Sequence, residues 1–222
     1  MIPIHLKWQR DVAGYRVAPA GQHGESIVRN GGDLVPCDPT TGNDMLYAEF
    51  AGLKTGQQLL KFVNRHGLLN NAAGHSIGQT YDGNFGDGSF RPKDDGYDGE
   101  LVRDHLEAAR LIRQVLKAEN SGKKSIPIED CRTLAGILDD DEVGHIRLAP
   151  RGKRGFQFIF EASSLLGAIW IQLAQRTGGG IKWGECRYCG SWFEMGPGTG
   201  KRTDSEFCKT SHRVAFHRKH GG

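Results

Sequence analysis

Apolar positions recur at helical spacing in three stretches of the chain. In "TGQQLLKFVNRHG" (55–67), Leu59, Leu60, Phe62 and Val63 form a stripe. Thr55 and Gln58 stand at capping-box spacing and Gly67 supplies a stop. Over roughly 100–119, Leu101, Val102, Leu106, Ala109, Ile112, Val115 and Leu116 keep the same period between charged residues, with Asp98 placed to cap. The third stretch, "SSLLGAIWIQLAQRT" (163–177), is apolar nearly all round. It predicts a central core helix, with Ser163 or Ser164 at the N-cap and Trp170 as packing.

Between these helices the pattern changes period. Residues 1–50 mix short apolar runs with Gly, Pro and Asp, which predicts strands and turns. "HIRLAPRGKRGFQFIFEA" alternates on either side of a Gly/Pro/basic turn and predicts a β-hairpin. A short helix is expected near 129–138. The Gly- and Asp-rich stretch 73–99 predicts a long surface loop. "TGGG" (177–180) marks a boundary. The expected fold is α+β, with a mainly helical domain over 1–180 carrying a small antiparallel sheet. A small treble-clef or ribbon-like finger over 181–222 follows it.

With 222 residues, 37% hydrophobic and 25% charged, the chain has the composition of an ordinary soluble protein and length enough for a real core. Its N-terminus lacks the apolar segment of a secretory signal, and its longest apolar run, 165–174, is too short to span a bilayer. No membrane association is expected. Charge changes the picture only locally. From Cys186 onward there are seven Lys/Arg against three acids, so the tail carries +4 of the net +3 and the rest is −1.

The same tail carries the cysteine pattern. Cys186 and Cys189 form C-x2-C, and after eighteen intervening residues Cys208 is followed four positions on by His212. On a helix starting near Cys208, Cys208 and His212 share one face. Three thiolates and an imidazole complete a tetrahedral zinc set with no open position, which is the pattern of a structural site. His217 and His220 are rivals for the fourth place. Five cysteines with three clustered in this way fit reduced thiols in the cytoplasm better than a disulfide scaffold. Cys37 and Cys131 have no paired motif and read as incidental.

"CRYCGSWFEMG…KRTDSEFCKTSHRVAFHRKH" resembles the C-terminal zinc finger of bacterial CGNR-type proteins, which carry an ABATE-like N-terminal domain. The resemblance covers about the last 37 residues, with a fainter echo in "LLKFVNRHG". His212-Arg213-Val214-Ala215 replaces the CGNR tetrapeptide, the gap before it is one residue shorter, and GPGTG is an insertion. The resemblance implies that Cys186, Cys189 and Cys208 bind metal. It also implies a transcriptional regulator that binds DNA, with an upstream domain sensing a small molecule, meeting a protein partner or forming a homodimer.

The basic residues make a candidate surface for DNA or RNA: Lys201, Arg202, Lys209, Arg213, His217, Arg218 and Lys219. Two other readings stand beside it. One is an enzyme housed in 1–180 and stabilised by the finger, and the other is an adaptor whose finger binds protein.

Other motifs fail on their own terms. "GPGTGKRTD" (196–204) has Met195 where a phosphate loop needs its first glycine and Arg202 where it needs Ser or Thr. Its glycines instead predict a flexible connection between two metal half-sites. "DGNFGDGSFRPK" from Asp82 has Asp87 and Lys93 where a calcium loop needs Gly and Glu. His66, His75 and His105, with Asp82, Asp94 or Glu107, make a hydrolytic site only on paper. "EASSLL" lacks the glycines of a nucleophile elbow.

Overall fold

A computed structural model describes residues 2–70, 79–80, 91–92, 99–121, 144–150, 156–177 and 181–220. The expected helix at 129–138, Asp98, Cys131, and His75, Asp82 and Asp94 of the paper hydrolytic site lie outside these residues. So does most of the expected loop at 73–99.

Residues 4–37 carry five strands, as their short apolar runs predict, whereas residues 46–51, also read as strands and turns, form a helix. The strands are β1 (Ile4–His5), β2 (Trp8–Asp11), β3 (Tyr15–Pro19), β4 (Glu25–Arg29) and β5 (Leu34–Cys37). β2 pairs with β5, and β3 with β4, both antiparallel. Helix α1 (Leu46–Ala51) buries Leu46, Tyr47, Ala48, Phe50 and Ala51.

Helix α2 (Gly56–His66) begins where the capping pattern places it. Thr55 Oγ1 accepts the Gln58 N–H at 3.3 Å, while the Gln58 carboxamide turns back to accept the Lys54 N–H at 2.7 Å. Leu59, Phe62 and Val63 are buried.

Beyond α2 come the two-residue ladder of β6 (Gln79–Thr80) and β7 (Arg91–Pro92) and the short β8 (Glu100–Leu101), which adds to β4. Helix α3 (Val102–Ser121) therefore starts two residues later than its periodicity suggests, because Glu100 and Leu101 are taken up by strand pairing. The buried Glu100 carboxylate accepts the N–H groups of Leu69 and Asn70 at 2.8 and 2.7 Å and meets His105 at 2.9 Å. These bonds join the chain on either side of residues 71–98.

β9 (Gly144–Pro150) and β10 (Phe156–Ala162) form the expected antiparallel hairpin, with β1 added in parallel on the far side of β10. Helix α4 (Leu165–Arg176) follows. Its N-cap is Ser164, whose Oγ accepts the Gly167 N–H at 2.9 Å, so this serine is a cap and not a nucleophile. Trp170 is 2% exposed, as core packing requires. β11 (Lys182–Glu185), β12 (Trp192–Met195) and α5 (Thr210–His220) complete the chain.

The architecture is α+β. Among the described residues helix and strand share the chain, in place of the mainly helical domain with one small sheet that the periodicity predicted. The strands fall into several small sheets, because short runs between turns pair locally. One core joins α1, α2, α3 and α4 with side chains of the N-terminal strands, and it includes Trp183 and Trp192 of the last hairpin. Arg113 of α3 donates to the carbonyls of Ala51 and Leu53 at 2.8 and 2.6 Å, satisfying the exposed end of α1. No described helix is long and apolar enough to cross a membrane.

Candidate metal centre

The C-terminal hairpin is built on a two-faced strand. In β12 successive side chains point to opposite sides. Trp192 belongs to the main core, and Glu194 reaches the Tyr47 hydroxyl of α1. Phe193 and Met195 face the other way, into a small cluster with Cys186, Phe207 and Cys208. β11 is held from the main body as well. The Asn120 side chain accepts the Trp183 N–H at 2.7 Å and donates back to the Trp183 carbonyl, like a neighbouring strand. Lys54 meets Glu185 at 2.5 Å.

Between β11 and β12 lies the knuckle. The Cys186 N–H donates to the Ser191 carbonyl at 2.9 Å, and the Gly190 N–H donates to the Cys186 carbonyl at 2.8 Å. Gly190 has φ 71°, a left-handed conformation that closes the turn behind Cys189 and favours glycine. The second half-site is the entry of α5. Lys209 O accepts the His212 N–H at 3.1 Å, so Cys208 and His212 lie one turn apart.

These two pieces bring four donors together. Cys186, Cys189, Cys208 and His212 each offer one atom, and all four atoms lie within 4.8 Å of one another. Cys189 Sγ is 3.7 Å from Cys208 Sγ. His212 Nδ1 is 3.7 Å from Cys186 Sγ and 3.2 Å from Cys208 Sγ. The group can hold a metal ion. His217 and His220 stand apart from it, against Phe216.

The thiols are electrostatically incomplete by themselves. Burial works against ionising Cys186, but the N–H groups of Cys208, Cys189 and Tyr188 and the His212 ring bring it down to about 6. Cys208 goes the other way. Burial, hydrogen bonds that its S–H can donate to Cys186 and Cys189, and the negative charge of those two thiolates push it up to about 12. One thiolate is favoured and the next is opposed, and a cation at the centre removes that opposition.

Arg187 ties the knuckle to the helix. Its guanidinium is 3.0 Å from both Glu206 carboxylate oxygens and lies 5.2 Å from the Phe216 ring centre. Its main-chain N–H donates to the Glu206 carbonyl at 3.0 Å. Tyr188 packs against His212, with ring centres 5.0 Å apart, and Phe207 against Phe216 at 5.3 Å.

The GPGTG segment is not a slack connection. Gly196 and Lys201 form a bridge, and the Thr199 hydroxyl donates to the Gly196 carbonyl at 2.8 Å. Gly196, Gly198 and Gly200 all have positive φ, so the glycines serve a closed turn and not a hinge.

The predicted basic residues are distributed as follows. Lys209, Arg213, His217, Arg218 and Lys219 lie exposed along or beside α5. Arg202 is exposed and pairs with Asp204 at 3.1 Å, while Lys201 is half-buried in the turn. By helical spacing Lys209, Arg213 and His217 follow one flank of α5, with Arg218 on another.

The paper hydrolytic site does not form among the described residues. His66 meets Glu49 at 3.2 Å, His105 meets Glu100, and Glu107 pairs with Arg110. His66 and His105, the two described histidines of that reading, each have their own structural carboxylate.

Sequence reasoning missed the network that mounts this module. Tyr47 donates to Glu194 and accepts the Trp183 indole N–H at 3.1 Å, and Arg176 lies 3.3 Å from Glu194. Burial and the Glu194 hydrogen bond push the Tyr47 hydroxyl far above the ordinary tyrosine range, so it stays a donor. Only one local signal existed, an acid inserted in the apolar run Trp192-Phe193-Glu194-Met195. Tyr47→Phe leaves Glu194 and the Trp183 indole each short of a partner. It should lower unfolding free energy by about 1–3 kcal/mol, measured by urea titration, with metal content unchanged.

No family model matches the chain, and no curated protein matches it either.

Proposed function

We propose that this is a zinc-containing nucleic-acid-binding protein in which a structural Cys3His zinc site holds a basic helix against DNA or RNA. The observation that carries the reading is the closed four-donor cluster beneath an exposed, cation-rich helix. A tetrahedral zinc with bonds near 2.3 Å to sulfur and 2.0 Å to nitrogen has donor-to-donor edges of about 3.6–3.8 Å. Three of the six donor separations, at 3.2 to 3.7 Å, lie close to those edges, and all six are within 4.8 Å.

Cys186, Cys189, Cys208 and His212 would fill all four positions, leaving none for substrate, so the metal's contribution is structural. A knuckle, a hairpin and a helix supplying the second pair of ligands is the treble-clef arrangement. The likeness to CGNR-type fingers points the same way and suggests a transcriptional regulator. A thiolate-rich site of this kind is at home in a reducing cytoplasm.

Phosphate contacts would come from Lys209, Arg213, Arg218 and Lys219, with His217 on the Lys209–Arg213 flank and Lys201 and Arg202 from the neighbouring turn. The test is a mobility-shift titration with duplex DNA and with RNA over a range of salt. Binding should weaken steeply with salt, and Lys209→Ala and Arg213→Ala should each flatten the log–log slope by about 1. Chelation should abolish binding. Binding that is undetectable at low salt, or independent of salt and chelator, excludes the proposal.

A further inference from the structure

The β9–β10 hairpin carries a surface that the metal module does not explain. Ile146, Leu148, Phe156 and Phe158 are exposed by 58%, 56%, 70% and 62%. The register sets Leu148 opposite Phe158 and Ile146 opposite Phe160, so all four exposed side chains stand on one face. They leave on the order of 400 Å² of apolar side chain open, a patch size that marks an interaction site.

The hairpin also ends the sheet. The strand order is β1-β10-β9, and among the described residues no strand pairs with the outer side of β9. The direction of its main-chain groups follows from β10. The Phe160 N–H donates to the Pro3 carbonyl at 2.9 Å, so residue 160 directs its main-chain groups toward β1. By alternation Ile159 and Glu161 are the residues that bond β9, through Arg147 and His145. The N–H and C=O groups of Ile146 and Leu148 therefore point outward along the edge.

We infer that a second copy of this chain pairs with β9, antiparallel, about a two-fold axis at Arg147. In that register Ile146 faces the partner's Leu148 and Leu148 faces the partner's Ile146. Each such pair can exchange both its N–H···O bonds, since both residues present them outward. The apolar side chains then run on from one copy into the other. A shift by one residue would put Arg147 on the apolar face, so this face specifies the register.

Self-complementarity favours a second copy over an unrelated partner, because a two-fold contact requires one patch to match itself. On the opposite face Arg147 lies 2.6 Å from Glu161, so the two arginines that meet at the axis arrive already paired.

Sedimentation equilibrium of the full chain at tens of micromolar tests the inference. The wild type should show twice the chain mass of 24.4 kDa. Leu148→Asp and Ile146→Pro should both sediment as single chains with unchanged circular dichroism. The proline removes an outward N–H and leaves the bonds to β10 in place. Should the proline variant fail to fold, Leu148→Asp decides alone.

Arg147→Cys reports the register. Non-hydrogen-bonded partners lie about 4.5 Å apart at Cα, within disulfide range. Mild oxidation should give a 147–147 link identified by peptide mass. Val12→Cys, exposed by 60% elsewhere, should give no self-link. A monomeric wild type overturns the inference. So does a dimer that survives both substitutions, or one that forms no 147–147 link.

Discussion

Cys208→Ala protein is expected to carry close to no metal, against one ion per chain in the wild type, and to lose the structure of its last fifteen or so residues. The reason is the way α5 is held. None of its residues is buried. An isolated helix of that length is marginal in water even with good helix formers. What fixes it is Cys208 and His212 at its entry, Phe216 against Phe207, and Arg187 reaching over to Glu206 and Phe216.

Three of these contacts depend on the knuckle and the helix entry being held together. Structural zinc binding is worth about 10–16 kcal/mol in small fingers, so loss of one of four ligands, about a quarter of it, should weaken metal binding by roughly 70- to 1,000-fold. Elemental analysis reads the metal, and hydrogen exchange reads the protection of 206–220. The main core should keep its protection, because Trp183 and Trp192 belong to it and precede the missing ligand. Cys37→Ala is the control and should retain full metal. Stoichiometric metal with unchanged protection in Cys208→Ala would exclude the assigned ligand set.

Trp183→Ala should give the largest loss of global stability. The side chain is 1% exposed and sits in the main core, in the strand that leads directly into Cys186. Truncating a buried Trp costs about 3–5 kcal/mol through lost transfer energy and the cavity left behind. The Tyr47 hydroxyl also loses the indole N–H that it accepts at 3.1 Å. For a chain of this size that corresponds to a fall in melting temperature of roughly 6–20 °C. Calorimetry of the metal-loaded protein measures it. A shift below a few degrees would mean that β11 is only loosely attached to the body.

The two variants separate two ways in which the C-terminal segment is held. Cys208→Ala should release the tail and spare the body, whereas Trp183→Ala should weaken the body under a tail that still binds metal. A single change that did both in equal measure would show that the boundary near residue 180 has no energetic meaning.

Much of this was readable one element at a time. The Thr55–Gln58 cap, the stripe of α2, the Ser164 cap of α4, the β9–β10 hairpin and the C-x2-C…C-x3-H pattern are local, set by side chains a few residues apart. Periodicity and capping report such interactions directly. The four metal donors were legible for the same reason. Each pair is close in sequence, and a tetrahedral ion has only four places.

What the local pattern could not supply was the assignment of faces. It marked a boundary at 177–180 but was silent on the faces of β12, which turns Trp192 and Glu194 into the body and Phe193 and Met195 toward the thiols. It took GPGTG for slack, where turn bonds within the segment close it. It put Glu100 in a helix that strand pairing with Ile27 claims first. Tyr47 with Glu194 and Asn120 with Trp183 are contacts across 147 and 63 residues. The open edge of β9 likewise follows from which strands the sheet contains. The sequence by itself determined the candidate donor set and the longer helices, because their interactions close within a turn or a knuckle. Only the tertiary structure decided what each strand face and edge meets, because that depends on packing between segments far apart in the chain.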